Sequence, residues 1–338
     1  MLRPMTNGIL EVVALKTCTR LCNHPLLVSL LLGLWIFMLL PATCTQAAGK
    51  QPLGIALLPI LDAFPFYVAE HKGYFDENQV KVKAIPVSSG LERDQLMQAG
   101  EIDGMLNEII SSANFNRDSV QVQIVAVARK AYPDYPLFRI LAAPGSNIDS
   151  MAKLAGQSIG ISKNTVIEYV TERLLGAENL PKQHVEMKSI PVIPERYQLL
   201  MQGRIQAATL PDPLAKSAMV AGAELIVDDS THSQYSLSIL TFGLEALDKR
   251  SEEVRRFLRA WDRAAADINA DPEAYRNLLL AKIRVPKNVQ QTFKIPIYPR
   301  KEVPNKTQWI DVMDWMVARG LLENALVYEE SVTAKYLP

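Results

Sequence analysis

From Leu53 onward the sequence alternates short apolar runs with stretches that carry helix start and stop signals, and this alternation limits the possible folds more than any other feature. The run Leu53–Leu58 is typical of a buried strand. The stretch from Asp62 to Pro65 then has the pattern of a helix start, and Gly73 is suited to end that helix. Strands that alternate with helices in this way favour parallel sheets with helices on both faces, so we expect an α/β fold.

Two stretches with the same order of predicted elements indicate that the chain contains two lobes of like build. Residues 95–103 and 198–206 both predict a helix that ends at a glycine and is followed at once by a strand. The apolar strands at 138–143 and 237–242 bracket the second lobe, so we expect the chain to cross between the lobes there and to return once. Helical patterns follow from Ser251. The predicted domains are an export signal at 1–48, a first lobe at 51–142 plus 240–338, and a second lobe at 143–239.

The first fifty residues have a different character from the rest of the chain. Basic residues precede the uncharged run Pro25–Leu40, and small residues follow as far as Ala48, which is the pattern of an export signal. The apolar run is shorter than the roughly 18–20 residues of a spanning helix. Two alternatives stay open: an uncut N-terminal anchor, and a lipid on Cys44, whose preceding residues loosely resemble a lipobox. Each of them predicts a periplasmic or other extracytoplasmic location.

Composition and motifs exclude several classes of function. The chain has 36 Lys and Arg against 36 Asp and Glu, so charge gives no reason to expect nucleic acid or an anionic membrane surface as a partner. No cysteine follows Cys44, so a thiolate nucleophile or a cysteine-ligated metal is excluded beyond it. The three histidines beyond Cys44 are scattered, and no nucleophile elbow or phosphate-binding loop is present. We therefore predict no catalytic residue, no metal and no cofactor.

The candidate binding residues follow strands or begin helices. In doubly wound sheets, ligands bind beyond the carboxyl ends of the strands, where helix N-termini offer free N–H groups. Two lobes would bring such loops together across a cleft. For several of these residues a structural role stays open, as helix caps or as core. The candidates are Asp62, Phe64, Phe66, Ser88, Ser89, Asn107, Ser162, Asn164, Thr165 and Asp212.

Five segments, at 61–75, 98–104, 158–169, 195–203 and 210–215, resemble the nitrate/sulfonate/taurine and thiamine-pyrimidine group of periplasmic binding proteins of ABC importers. The resemblance covers nearly the whole chain from Leu53 to Pro338. It implies a type II periplasmic-binding-protein fold: two α/β lobes joined by two crossover strands, with a helical C-terminal extension. It further implies that the lobes close on a small solute, and that a membrane permease and an ATPase are partners.

The expected ligand is a neutral or weakly cationic heterocycle, such as a pyrimidine vitamin precursor or a flavin-like compound. The sequence at 89–94 departs from the usual nitrate or sulfonate pattern of the family. Phe64, Phe66 or Tyr235 would stack on a flat ring. The candidate loops also carry more acid than base: Asp62, Glu92, Glu108 and Asp212 against Arg93 and Lys163.

The sequence thus predicts the extracytoplasmic solute-binding component of an ABC importer and no enzymatic activity. Two alternatives remain. One is a biosynthetic enzyme of the same fold; the thiamine-type enzyme of the family relies on a cysteine-rich motif that this chain lacks beyond Cys44. The other is a module that senses a ligand for a membrane receptor.

Overall fold

Two five-stranded sheets organise residues 51–180 and 182–338, the parts of the chain that the computed structural model describes. The predicted export signal, and with it the anchor and lipid alternatives at Cys44, lies outside these residues. The first sheet has the order β2-β1-β3-β10-β4 and the second β7-β6-β8-β5-β9. The strands are β1 Leu53–Leu57, β2 Val82–Pro86, β3 Gly104–Asn107, β4 Val122–Lys130, β5 Phe138–Ala142, β6 Ser158–Ile161, β7 Glu186–Ser189, β8 Ala207–Pro211, β9 Glu224–Asp228 and β10 Leu237–Gly243.

The two sheets repeat one topology, which confirms the expectation of two lobes of like build. In each sheet the fourth position is held by a strand that runs antiparallel to its neighbours: β10 between β3 and β4, and β5 between β8 and β9. The sheets are therefore mixed, whereas the sequence pattern favoured parallel pairing alone. The cause is the connection between the lobes. The parallel strands of each sheet end on the side that faces the other lobe. A chain that crosses there enters the second sheet at the carboxyl end of its parallel strands, so the entering strand runs antiparallel to them.

The helices lie on the faces of these sheets, and the first lobe also carries most of the C-terminal helices. The longest, Ser251–Ala270, buries a regular apolar stripe that includes Val254, Phe257 and Trp261. Two short helices, Ile109–Phe115 and Leu214–Val220, are not evident in the sequence. The helices are α1 Phe64–His71, α2 Tyr74–Glu77, α3 Gly90–Gln98, α4 Ile109–Phe115, α5 Met151–Leu154, α6 Val166–Ala177, α7 Ile193–Met201, α8 Leu214–Val220, α9 Leu244–Lys249, α10 Ser251–Ala270, α11 Arg276–Lys282, α12 Lys306–Ala318 and α13 Tyr328–Ser331.

Two links connect the sheets. The strand expected at 138–143 belongs to the second sheet and the strand expected at 237–242 to the first, so the chain passes between the sheets at 131–137 and 229–236. Asp229, in the return link, is fully buried and accepts hydrogen bonds from the backbone N–H groups of Leu137 (2.8 Å) and Phe138 (2.9 Å). The carboxylate thereby ties the two links to each other.

Helix α12 packs against both lobes. Its apolar face joins one hydrophobic cluster with α4 of the first lobe and α6 of the second. Asp311 accepts hydrogen bonds from Tyr169 (2.5 Å) and from Nε of Arg173 (2.8 Å), both on α6. Trp315 donates its indole N–H to Glu172 on the same helix at 2.9 Å. The C-terminal extension is thus fixed to the second lobe as well as to the first.

No helix among the described residues combines the length and the apolar character needed to cross a bilayer.

Candidate functional site: the groove between the lobes

The segment after β3 and the start of α6 meet at a narrow cavity between the lobes. Its lining includes Glu108 directly after β3, Val166 and Tyr169 at the start of α6, and Tyr235 in the return link. The cavity has a volume of about 10 Å³, which is roughly the space for a single water molecule. Solute sites are typically about 300–1,000 Å³ in volume. The lobes are therefore close together at this cavity, which admits a solute only if they separate there.

One contact holds the rims of the groove together. Ser217 on α8 donates its hydroxyl to Oδ1 of Asn288 at 2.8 Å, and Nδ2 of Asn288 donates to the backbone carbonyl of Ser217 at 3.1 Å. Ser217 is buried against the second sheet, whereas Asn288 is exposed and lies in a segment that packs with the first lobe. This pair, called the rim latch below, joins the two lobes directly.

Three candidates in the first lobe have structural contacts: Asp62 and Asn107 lie in buried polar networks, and Ser89 caps a helix. Asp62 accepts a hydrogen bond from Nη1 of Arg129 at 3.0 Å. Asn107 is 1% exposed; it donates to Ser112 at 2.9 Å and accepts from Thr241 at 2.7 Å. Ser89 caps α3 by accepting from the backbone N–H of Glu92 at 3.1 Å.

Ser88 is exposed beside Ser89, and its backbone N–H donates to the Glu92 carboxylate at 2.7 Å. Half of the capping box that the sequence predicts is present: Ser89 caps the Glu92 N–H, but the Glu92 carboxylate accepts from the N–H of Ser88 instead of that of Ser89. Their contact with a solute stays a prediction.

Phe64 and Phe66 lie in the hydrophobic core of the first lobe and expose 0% and 1% of their surface. The Phe66 ring packs against that of Phe75 with centroids 5.1 Å apart, and the Phe64 ring lies 6.4 Å from that of Tyr298. The core role, which the sequence left open, accounts for both rings in this structure. Neither ring presents a face to the groove here.

The second lobe places four candidates at the ends of β6 and β8. The Thr165 hydroxyl donates to the Ser162 carbonyl at 2.8 Å and accepts from the Ile167 N–H at 3.2 Å, so Thr165 caps α6. Asn164 is exposed, and its φ of 59° is left-handed, a conformation that asparagine tolerates better than most residues. Asp212 forms a two-point ion pair with Arg139, with distances of 2.8 and 3.2 Å.

The acidic side chains that the sequence placed at the groove are not free. Asp62 and Asp212 pair with buried or nearly buried arginines, as described above. Glu108 lies 3.5 Å from Arg93, and Glu92 is engaged by the backbone at the start of α3. Arginines within the fold therefore neutralise three of these four carboxylates, and the fourth, on Glu92, accepts from a backbone N–H.

Sequence reasoning missed Arg196 on α7. Its side chain is fully buried, and Nη1 donates to the Ser162 hydroxyl at 2.8 Å and to the Ile190 carbonyl at 2.7 Å. Nε and Nη2 have no hydrogen-bond partner. Two features of the sequence point to this residue: it shares a helix face with the buried Leu200, and Gly160 on β6 leaves room for its stem.

Among the described residues, no group of three or more His, Cys, Asp or Glu side chains is placed to hold a metal ion. The histidines lie apart: His71 and His184 are exposed, and His232 is 3.1 Å from Glu178.

The two-lobed fold with a groove between facing strand ends defines the class of type II periplasmic-binding-protein folds. The chain belongs to the NMT1/THI5-like family, whose model matches residues 61–275. This confirms the resemblance found in the sequence.

A Brachyspira hyodysenteriae protein named as an ABC transporter periplasmic binding protein is 23% identical over 269 residues, which cover 75% of this chain and 77% of the relative. The periplasmic aliphatic sulphonate binding protein SsuA from Escherichia coli superposes with a TM-score of 0.71 at 17% identity, covering 83% of this chain and 92% of that chain.

The desulfurization enzyme DszB also shares the fold, with a TM-score of 0.64 at 15% identity, covering 85% of this chain and 97% of that chain. The fold alone therefore does not separate binding proteins from enzymes.

Proposed function

We propose that this chain is the extracytoplasmic solute-binding component of an ABC importer. The observation that carries the proposal is the groove between two lobes of like topology, where the segment after β3, the N-termini of α4 and α6 and the return link line one cavity. Its membership of the NMT1/THI5-like family and its likeness to a protein named as an ABC transporter periplasmic binding protein support this role. A membrane permease and an ATPase are the partners that the role requires.

Binding would act by shifting a population of conformations. The cavity between the lobes holds about 10 Å³, so the solute would enter a more open form and then favour closure through its contacts with both lobes. The links at 131–137 and 229–236 would serve as the hinge, stiffened by Asp229. Any solute that bridges the lobes must supply the differential affinity that drives closure.

We include a flat heterocyclic ring in the proposed ligand. With Phe64 and Phe66 buried in the core, the aromatic contact falls to Tyr235, which is half-buried and lines the cavity with Tyr169. Tyrosine offers a ring face together with a polar tip, which suits a small heterocycle.

No catalytic step is part of the proposal. The described residues contain no cysteine, and their three histidines lie apart from one another: His71 and His184 are exposed, and the half-buried His232 stacks on Tyr235 beside the cavity. The carboxylates near the groove are held in ion pairs or by backbone N–H groups, which leaves none poised as a general base.

The test uses the purified full chain. Small molecules released on denaturation are identified by mass spectrometry, and a panel of vitamins, vitamin precursors and sulfonates is screened by thermal shift. A bound solute is expected to raise Tm, since a ligand that binds only the native state stabilises it. If nothing is retained and no compound in the panel raises Tm, the solute-binding proposal is wrong.

A further inference from the structure

The segment that carries α12 is fixed at both ends to the first lobe. Before the helix, the backbone N–H of Val127 donates to the carbonyl of Glu302 at 2.8 Å. After it, the backbone N–H of Thr333 donates to the carbonyl of Ile124 at 2.9 Å. Val127 and Ile124 both lie on β4, a strand of the first sheet. The chain between these two anchors, with α12 in it, is therefore an excursion from the first lobe.

Between the anchors, α12 makes polar contacts with α6 of the second lobe. The Asp311 carboxylate accepts from the Tyr169 hydroxyl at 2.5 Å and from Nε of Arg173 at 2.8 Å. The backbone carbonyl of Asp311 accepts from Nη2 of Arg173 at 3.1 Å. One carboxylate on α12 thus holds two side chains that lie one turn apart on α6.

A second group of contacts lies further along α12. The Trp315 indole N–H donates to Glu172 at 2.9 Å, and Arg319, directly after the helix, pairs with Glu172 and, at 2.9 Å, with Glu168. Both glutamates are buried on α6, so solvent screens these charge interactions only weakly. Helix α6 is therefore bound along two of its turns to a segment anchored on the other lobe.

The same two helices form walls of the cavity between the lobes. Gln308 and Val312 of α12 line it together with Val166 and Tyr169 of α6. The cavity holds about 10 Å³, whereas a solute site requires about 300–1,000 Å³. Widening the cavity by separating the lobes moves the α6 wall away from the α12 wall. Because the hydroxyl of the cavity residue Tyr169 is bound to Asp311, that movement breaks the contacts between the two helices.

We propose that α12 is a strap, a helix anchored on the first lobe that grips α6 and holds the two lobes together when no solute is bound. Release of the strap lets the lobes separate and admits the solute. This inference deepens the proposed solute-binding function, and the role of the strap in solute entry rests on that function. The strap binds α6, whereas the rim latch binds α8, so the two hold the second lobe at different helices.

The test measures the closed fraction of the purified full chain without ligand. Single-molecule energy transfer is recorded between dyes at Lys83 on β2 and Glu224 on β9, one exposed residue of each lobe. We expect Asp311→Ala to shift the ratio of closed to open molecules about ten-fold toward the open form, as expected for the loss of a charge-assisted hydrogen bond.

Two further variants assign the effect to the contact itself. Asp314→Ala removes the same charge from an exposed position of α12 and is expected to leave the closed fraction at the wild-type value. Tyr169→Phe keeps the ring and loses only the hydroxyl, so it should open the lobes less than Asp311→Ala and should have no further effect when combined with it. A role in packing alone predicts a lower Tm for Asp311→Ala with an unchanged closed fraction.

The outcomes separate the strap from the function on which its role in solute entry rests. If Asp311→Ala and Asp314→Ala give the same closed fraction, or if Tyr169→Phe opens the lobes equally with and without Asp311→Ala, the strap is wrong while solute binding stands. If Asp311→Ala opens the lobes but mass spectrometry and thermal shift find no bound compound, the strap is present and the solute-binding proposal is wrong.

Discussion

The rim latch between Ser217 and Asn288 provides a direct test of lobe closure. Asn288→Ala removes both hydrogen bonds of the latch, at 2.8 and 3.1 Å. Of the two, Ser217→Ala removes only the one made by the hydroxyl, because the carbonyl that accepts from Asn288 is part of the backbone; it also removes a contact of 3.2 Å with the Tyr197 hydroxyl inside the second lobe. The two substitutions should therefore change the free energy of lobe closure by different amounts, and their effects should not be additive.

The expected magnitude follows from the position of the pair. A net hydrogen bond contributes about 0.5–1.5 kcal/mol, and because Asn288 is exposed the lower end applies. Losing both bonds costs the closed form about 1 kcal/mol, which shifts the ratio of closed to open molecules about five-fold toward the open form. Ser217→Ala should shift the ratio about two-fold on the same basis.

Single-molecule energy transfer between dyes on one exposed residue of each lobe measures the closed fraction without ligand. Lys287→Ala, the exposed neighbour of Asn288, serves as the matched control and is expected to match the wild-type protein. If Asn288→Ala and Lys287→Ala give the same closed fraction, the latch does not hold the lobes together. If the variant that combines Ser217→Ala with Asn288→Ala changes the free energy of closure by the sum of the two single effects, the two residues do not interact.

Three further predictions concern stability. Gly104→Ala should lower the free energy of unfolding by about 1–3 kcal/mol, because its Cβ would lie 2.8 Å from the buried ring of Phe242; an unchanged denaturation midpoint would contradict this. Burial raises the pKa of Asp229 from 3.8 to about 6, so the native state binds more protons than the unfolded chain between these values, and stability declines by about 3 kcal/mol as pH rises through that window. Asp229→Asn should remove this decline in urea titrations at pH 4 and 7, and an identical pH profile would refute the argument. Asn305→Ala should cost about 1 kcal/mol by breaking the capping box with Gln308, and a Tm equal to that of the wild-type protein would count against it.

The sequence predicted the fold class because its local signals agree with each other. The strand at Leu53, the caps at Ser89 and Thr165 and the helix ends at Gly73 and Gly100 all depend on neighbouring residues, and the structure confirms them, whereas Gly176, expected to end α6, lies inside it. Strand direction was not predictable in the same way. Whether β5 and β10 run antiparallel depends on the edge at which the chain re-enters a sheet, which no local pattern encodes.

The chemistry of the groove was harder to predict than the fold. Asp62 pairs with a residue 67 positions away, and Asp212 with one 73 positions away, so their neutralisation cannot be read from the loops themselves. From the sequence alone, the aromatic residues of α1 could either stack on a ligand or pack in the core. The packing of α10 against α1 decides between the two roles. Helix α4 escaped prediction because its seven residues include the buried polar side chains of Ser111 and Ser112 and no side-chain cap marks its start.

The attachment of α12 to the second lobe has a consequence for the order in which the chain acquires its structure. Glu168 and Glu172 are buried on α6, and Arg319, which follows α12, pairs with both of them. During synthesis these two carboxylates are made about 150 residues before Arg319, and their earlier partners within the second lobe are Lys182, 3.3 Å from Glu172, and the backbone N–H of Asn164, which donates to Glu168. The last ion pairs of α6 therefore form only after nearly the whole polypeptide has been made, so a segment from the end of the chain completes the packing of the second lobe.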